Sequence, residues 1–256
     1  MAASPATSSK PKSAVSSAAD PLTNRARRQP CSQRHQSLLE WGIEPVACTR
    51  FCEQPGLRHV GGTKDPDIEA IVGLRPDMVV VDREENRRED AASLISHGID
   101  VLDLHVTSVA SARTETRRLA AAVGASVTVD AECGTRARLV RAFVPIWRRP
   151  WMTINASTYG ASVLASMGVE VAHARAASTY PEVTSDELAA LGQSGVGLVL
   201  LPTEPYAFAD RHIAEIRDAT GISDVRIVDG RDLFWWGVRT PAALARLGEQ
   251  LADILS

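Results

Sequence analysis

Two short apolar runs, DMVVVD at 77–82 and VGLVLL at 196–201, constrain the fold of this chain more than any other feature. Each is too short for an ordinary helix and shows no polar alternation, which suits a strand buried on both faces of a parallel sheet. A short helical stretch precedes each run and a glutamate-bearing loop follows it, as DPDIEAIVGLRPDMVVVDREEN and SDELAALGQSGVGLVLLPTEP show. This weak internal repeat predicts two similar α/β lobes with parallel sheets and a cleft between them. A chain of 256 residues that is 45% hydrophobic has enough apolar mass for two modest cores.

The flanking pattern fills in the lobes. Residues 1–36 carry Lys10, Lys12, Arg25, Arg27, Arg28 and Arg34 against the single acid Asp20, and are otherwise rich in Ser, Ala and Pro, so they read as a disordered basic arm. A first lobe is expected over 37–123. It holds a short helix ended by Gly42, a strand in PVACTRF, a helix over 66–73 capped by Asp65 with Pro66 at its first position, the strand DMVVVD, a helix from REENRRED, a strand over 99–104 and a helix over 108–123. Residues 124–142 form a helical connection between the lobes. The second lobe, 143–256, opens with the strand FVPIW and a helix over 158–167. Thr184 and Glu187 are spaced as a capping box, and VGLVLL, a helix over 209–219, the strand VRIVD and a helix after Thr240-Pro241 follow.

Function classes narrow quickly. The net charge of −3 gives no general attraction to nucleic acid. The arm has no apolar core of a secretory signal, Arg27-Arg28 does not complete a twin-arginine signal, and no stretch approaches the ~18 apolar residues of a membrane span. As the sequence stands the expected compartment is the cytoplasm, or an extracytoplasmic one if the true N-terminus is missing. The chain has no Gly-x-Gly-x-x-Gly, Walker A, Gly-x-Ser-x-Gly or His-Glu-x-x-His motif, and Gly61-Gly62-Thr63-Lys64 reads as a plain turn. The four cysteines, Cys31, Cys48, Cys52 and Cys133, are expected to remain free thiols. Cys48, Cys52 and His59 invite a metal-site reading, but zinc takes about four ligands and this segment offers three at most. Cys48 falls in a strand and reads as core, which leaves Cys52 as a thiol lining the proposed cleft.

Ligands of parallel sheets gather at the carboxyl ends of the strands. Residues following the predicted strands are Arg50, Phe51 and Cys52; Glu84, Glu85 and Asn86; Trp147 to Trp151; Glu204, Pro205 and Tyr206; and Trp235 with Trp236. Only 5% of the chain is aromatic, so four of five tryptophans in such loops point to a large, partly apolar ligand.

The runs VACTRFCEQPGLRHVGGTKDPDIEAIVGLRPDMVVVDREENRRED, VPIWRRPWMTINASTYGASVLASMGVE, TYPEVTSDELAAL and VLLPTEPYAF, with the late WWG, resemble the cobalamin- and iron-siderophore-type substrate-binding proteins of ABC importers. These are the helical-backbone metal receptors, and the match looks closest to a branch without a signal peptide. The resemblance runs from about Ser37 to the C-terminus. It implies two Rossmann-like lobes, no catalysis, no intrinsic cofactor, and a cobalamin-like corrinoid or ferric chelate held between the lobes. Carried over by position, Arg50, Phe51, Cys52, Glu85, Asn86, Trp151, Tyr159, Glu204, Tyr206 and Trp235 are the implied ligand-binding residues. Trp151, Tyr206 and Trp235 would grip the bulk of the ligand, and Arg50, Glu85 and Asn86 its polar groups. An ABC permease is the implied partner of an exported chain, with Glu89 and Glu204 as docking candidates. In related sequences a first strand and its loop precede the helix near Ser37; here the polar arm takes that place, so this strand is expected to be missing. The alternatives are a metal-dependent enzyme or metal chaperone using Cys48, Cys52 and His59, or a remnant that binds nothing.

Overall fold

The structure is a computed structural model and describes residues 14–16, 33–52, 56–127 and 140–255. The chain divides into two compact units. Of the described residues, the first unit takes 14–16, 33–104 and 117–127, and the second takes 105–116 and 140–255.

In the first unit, β1 (Ala14–Ser16), α1 (Gln33–Glu40), β2 (Ala47–Cys48), β3 (Arg58–His59), α2 (Ile68–Leu74), β4 (Met78–Asp82), α3 (Arg88–Ser96) and β5 (Val101–Leu104) follow in order. The helix α4 (Val109–Ala122) comes next, and the division between units falls within it. The five strands form one sheet in the order β3-β2-β1-β4-β5, every pair parallel. As its apolar run predicts, β4 is buried along its whole length. Ala47, Val79 and Val81 pack with Ile71 of α2 and Leu94 of α3, which covers one face of the sheet.

Three expectations for this unit are corrected. The first strand is present: Ala14–Ser16, assigned from sequence to a polar arm, pairs with both β2 and β4 at the centre of the sheet. Without it two inward-facing rows of backbone N–H and C=O groups would lack partners, and satisfying them outweighs the polar neighbourhood of a three-residue run. The remainder of that segment up to residue 32 lies outside the described residues. Next, α1 begins at Gln33 rather than near Ser37, because Arg34 and His35 are drawn into the interior. Finally, α2 is capped by Asp67, whose carboxylate accepts from Ala70 N at 2.9 Å, and not by Asp65. Pro66 is held in a bridge to Gly61, which keeps the chain extended there and leaves Asp65 to pair with Arg50.

The second unit contains β6 (Val140–Phe143), β7 (Trp147–Arg148), β8 (Trp151–Met152), α5 (Tyr159–Ser166), β9 (Val169–Val171), β10 (Glu182–Val183) and α6 (Ser185–Ala190). Then come β11 (Leu198–Pro202), α7 (Ile213–Thr220), β12 (Val225–Val228), α8 (Gly230–Phe234), α9 (Thr240–Gln250) and α10 (Ala252–Leu255). A parallel sheet runs β12-β11-β6-β9, and a small antiparallel sheet runs β10-β8-β7. The predicted capping box is formed at α6: Glu187 N donates to Thr184 Oγ1 at 3.2 Å and Thr184 N to Glu187 Oε2 at 2.8 Å. Phe143, Val199, Leu201, Phe208, Ile216 and Val225 make the core between sheet and helices. Of the connection expected over 124–142, residues 128–139 lie outside the described residues; its last part, from Val140, is strand β6.

Candidate functional site

In an open parallel sheet the strand order reverses direction at one point, and the carboxyl ends of the two strands there diverge to leave a crevice. In the second unit that point lies between β6 and β11, since β9 pairs on one side of β6 and β12 on the far side of β11. The chain leaving β6 runs through Val144-Pro145-Ile146 to Trp147, and the chain leaving β11 runs through Thr203-Glu204-Pro205 to Tyr206. The two aromatic rings meet edge to face with centroids 5.5 Å apart.

The cluster extends from that pair. Tyr206 tilts against Phe208 at 4.6 Å, and Phe208 stacks nearly parallel on Trp151 at 6.1 Å. His212 lies edge-on to both Tyr206 and Phe208. Phe208 and His212 are buried, whereas Trp147, Trp151 and Tyr206 are half-buried and keep part of their surface for another molecule. Burial, then the charges of Arg211 and Arg148, push the His212 pKa down. The Ala209 N–H donates to its Nδ1 at 3.0 Å, so the ring is neutral with its proton on Nε2. Arg148 binds Glu215 through Nη2 at 2.6 Å, and this contact, with a smaller contribution from Tyr206, holds its pKa above the usual range.

Beside this cluster, Arg231 and Arg239 lie over the Trp235 ring at 5.8 and 5.7 Å. Glu204 pairs with Arg231 at 3.3 Å, yet burial raises the pKa of its carboxyl. Gly230 N donates to Thr203 Oγ1 at 3.0 Å, and Gly230 is the residue that permits this approach: a Cβ there would collide with the backbone N of Glu204 and come within 2.7 Å of its carbonyl oxygen.

In the first unit the reversal falls between β1 and β4, and the loop leaving β4 is fixed by its own side chains. Asp82 N donates to Asn86 Oδ1 at 2.8 Å, Glu84 N to Asp82 Oδ1 at 3.0 Å, and Asn86 Nδ2 to Thr63 O at 3.1 Å. Arg34, fully buried, donates to Asp82 and to Glu85, each at 2.8 Å. Burial disfavours its charge, but the fields and hydrogen bonds of Glu85 and Asp82 outweigh that and raise its pKa.

The structure places the residues expected from sequence as follows. Trp151, Tyr206 and Trp235 line the second unit's strand ends with exposed ring surface. Tyr159 does not, being 6% exposed with its hydroxyl 3.0 Å from Thr240 Oγ1. Cys52 is not a surface thiol either: it is 0% exposed, because the turn after β2 folds it inward against Cys48 and Leu57. Arg50 is exposed but bonded to Asp65 at 2.6 Å, with its guanidinium 5.3 Å from the Phe51 ring. Glu85, Asn86 and Glu204 all serve internal hydrogen bonds. The reading of Cys48, Cys52 and His59 as metal ligands is not favoured: His59 Nε2 lies against the Cys52 carbonyl at 3.1 Å, and no three His, Cys, Asp or Glu among the described residues are grouped to hold an ion. Trp147, Arg148, Phe208 and His212 were not singled out as binding residues from sequence, although Trp147 stands in a strand-end loop.

Residues 32–131 match the profile of the periplasmic binding protein family. The fold is shared with periplasmic binding proteins of known structure. Among solved structures, the periplasmic vitamin B12 binding protein BtuF of Vibrio cholerae is similar at 16% identity and a TM-score of 0.69, over 96% of this chain and 97% of that one. The periplasmic heme-binding protein BhuT, solved with two hemes, is similar at 19% identity and a TM-score of 0.72, over 96% and 99%. The periplasmic heme-binding protein HutB of Vibrio cholerae follows at 16% and 0.67, over 93% and 98%. A comparison with curated proteins finds no match. Among the described residues no helix is long and apolar enough to cross a membrane.

Proposed function

We propose that the chain is a substrate-binding protein for a metal-bearing macrocycle or chelate, in the class of cobalamin, heme or a ferric siderophore. The observation that carries this reading is the half-exposed aromatic face of Trp147, Tyr206 and Trp151 at the point of strand reversal in the second unit. Such a cluster offers apolar ring surface to a ligand too large for a closed pocket, while Arg148 and Trp235 with its two arginines supply polar and cationic edges. The solved relatives named above bind vitamin B12 or heme, which supports this ligand class. In the first unit, Arg50, Phe51 and the Glu85-Asn86 loop belong to the same reading.

In this reading the metal arrives held by the ligand's own chelating atoms. If an ABC permease is the partner, Glu89 is the more accessible docking candidate, its side chain 71% exposed with Arg87 3.9 Å away, whereas Glu204 at 13% is held by Arg231 at 3.3 Å. Calorimetric titration of the purified chain with cyanocobalamin, hemin and a panel of ferric siderophores tests the reading. Saturable binding of one class with quenching of tryptophan fluorescence is expected. Folded protein that stays silent across the panel would sink it.

A further inference from the structure

Cys48 ends β2, and the chain turns at once: Cys52 N donates to the Thr49 carbonyl at 3.0 Å, so both side chains enter one apolar pocket against Leu57. The Cys48 thiol packs against the Cys52 side chain and donates to the Cys52 carbonyl at 3.9 Å; the neighbouring Cys52, and then burial, raises the Cys48 pKa and keeps it protonated. On its other side the Cys52 sulfur lies 3.0 Å from His35 Nδ1. One sulfur therefore faces an imidazole able to take its proton, and the other is a protonated neighbour already in contact with it. A second ring, His59, fixes the turn by its 3.1 Å bond to the Cys52 carbonyl.

We propose that Cys48 and Cys52 are a redox-active dithiol, oxidised to an intramolecular disulfide by a small hydroperoxide. His35 accepts the Cys52 proton, and the thiolate attacks one oxygen of hydrogen peroxide, breaking the O–O bond. The departing hydroxide takes the proton back from the imidazolium and leaves as water, and Cys52 becomes a sulfenic acid. The Cys48 sulfur then attacks the Cys52 sulfur, and the Cys48 proton leaves with the hydroxyl as a second water. Two thiols and one peroxide thus give one disulfide and two waters, with the sulfurs closing from side-chain packing contact to a bond of about 2 Å. Both cysteines are 0% exposed, which selects an oxidant close to water in size over a bulky disulfide. The bridge encloses Thr49, Arg50 and Phe51 and so stiffens that turn. Its effect on ligand rests on the function proposed above; the oxidation itself does not.

Trypsin makes the test direct, because cleavage after Arg34, Arg50 and Arg58 places Cys48 in peptide 35–50 and Cys52 in peptide 51–58. The reduced full chain is treated with stoichiometric hydrogen peroxide, alkylated in denaturant and digested. The expected product is these two peptides joined, two hydrogens lighter than their sum and separated again by dithiothreitol. In Cys48→Ser the reaction is expected to stop at a Cys52 sulfenic acid, which dimedone added together with denaturant captures. His35→Gln, if folded by circular dichroism, is expected to slow oxidation tenfold or more, on the order of what a positioned base supplies. Recovery of both cysteines alkylated from folded, peroxide-treated wild-type chain overturns the proposal, as does a linkage confined to Cys31 or Cys133. The peptide map decides even if His35→Gln does not fold, and it is independent of whether any ligand in the panel binds.

Discussion

The guanidinium of Arg34 donates to the carboxylate of Asp82 at 2.8 Å across 48 residues of sequence, and neither side chain meets appreciable solvent. Through this contact α1 is tied to the loop that leaves the central run of valines in β4.

Removing the cation strands two carboxylates. Arg34→Met should therefore lower stability by roughly 3–5 kcal/mol, the usual cost of breaking a buried pair from one side. Asp82→Asn in the same chain should recover part of the loss, since the uncompensated charge is then reduced. Urea denaturation of the single and double variants measures both, and a loss below about 1 kcal/mol for Arg34→Met would show that the triad is not a stabilising unit.

For the ligand face, Trp147→Ala and Tyr206→Ala should each weaken binding of whichever compound the titration identifies by about tenfold to a hundredfold, in line with buried aromatic anchors. Ile95→Ala, on helix α3 of the first unit and 58% exposed, should leave the affinity unchanged. Equal effects at all three positions would place the ligand elsewhere.

A test of geometry at constant chemistry is Gly230→Ala. The added methyl has no room against the Glu204 backbone, so the loop carrying Pro205 and Tyr206 must shift. The expected outcome is weaker ligand binding at least as large as that of Tyr206→Ala, with altered near-ultraviolet dichroism. Unchanged affinity and dichroism would mean that α8 yields instead of the loop.

His212 and His173 both have pKa values lowered by burial, so the folded chain holds them neutral while the unfolded chain binds protons near the ordinary value of about 6.5. The unfolded state then carries more protons as pH falls, and stability declines from about pH 6.5 toward the lowered folded values; above that range it is fully present. His212→Gln, which can still accept from Ala209 N, should show a shallower decline over this window. Denaturation midpoints from pH 7.5 to 5 read the difference, and parallel curves for the two proteins would refute the assignment.

How far the sequence speaks depends on where each residue's partners lie. The valines of β4 and the leucines of β11 announce themselves, because strands buried on both faces need no polar alternation. Thr184 and Glu187 are equally legible, since a capping box is complete within four residues. Ala14–Ser16 is not, because its reason for being a strand is the vacancy between β2 and β4, two segments far along the chain. Tyr159 and Cys52 misled for a related reason: their positions sit beside strand ends, but only the fold decides that one hydroxyl meets Thr240 and one thiol meets His35. The aromatic face was half visible, as strand-end tryptophans; the part played by Phe208 and His212 depends on how the loop after β11 doubles back.

Two neighbouring strands of the first sheet are only two residues long, and the three-residue strand from the chain's beginning is what joins them to β4 and β5. It acts as a keystone. A chain shortened past Ser16 would expose a slot with hydrogen-bonding walls on both sides, open to any extended peptide of suitable register, including the corresponding segment of another copy. A synthetic peptide covering that segment should then restore the shortened chain in trans, as a missing piece supplied from outside.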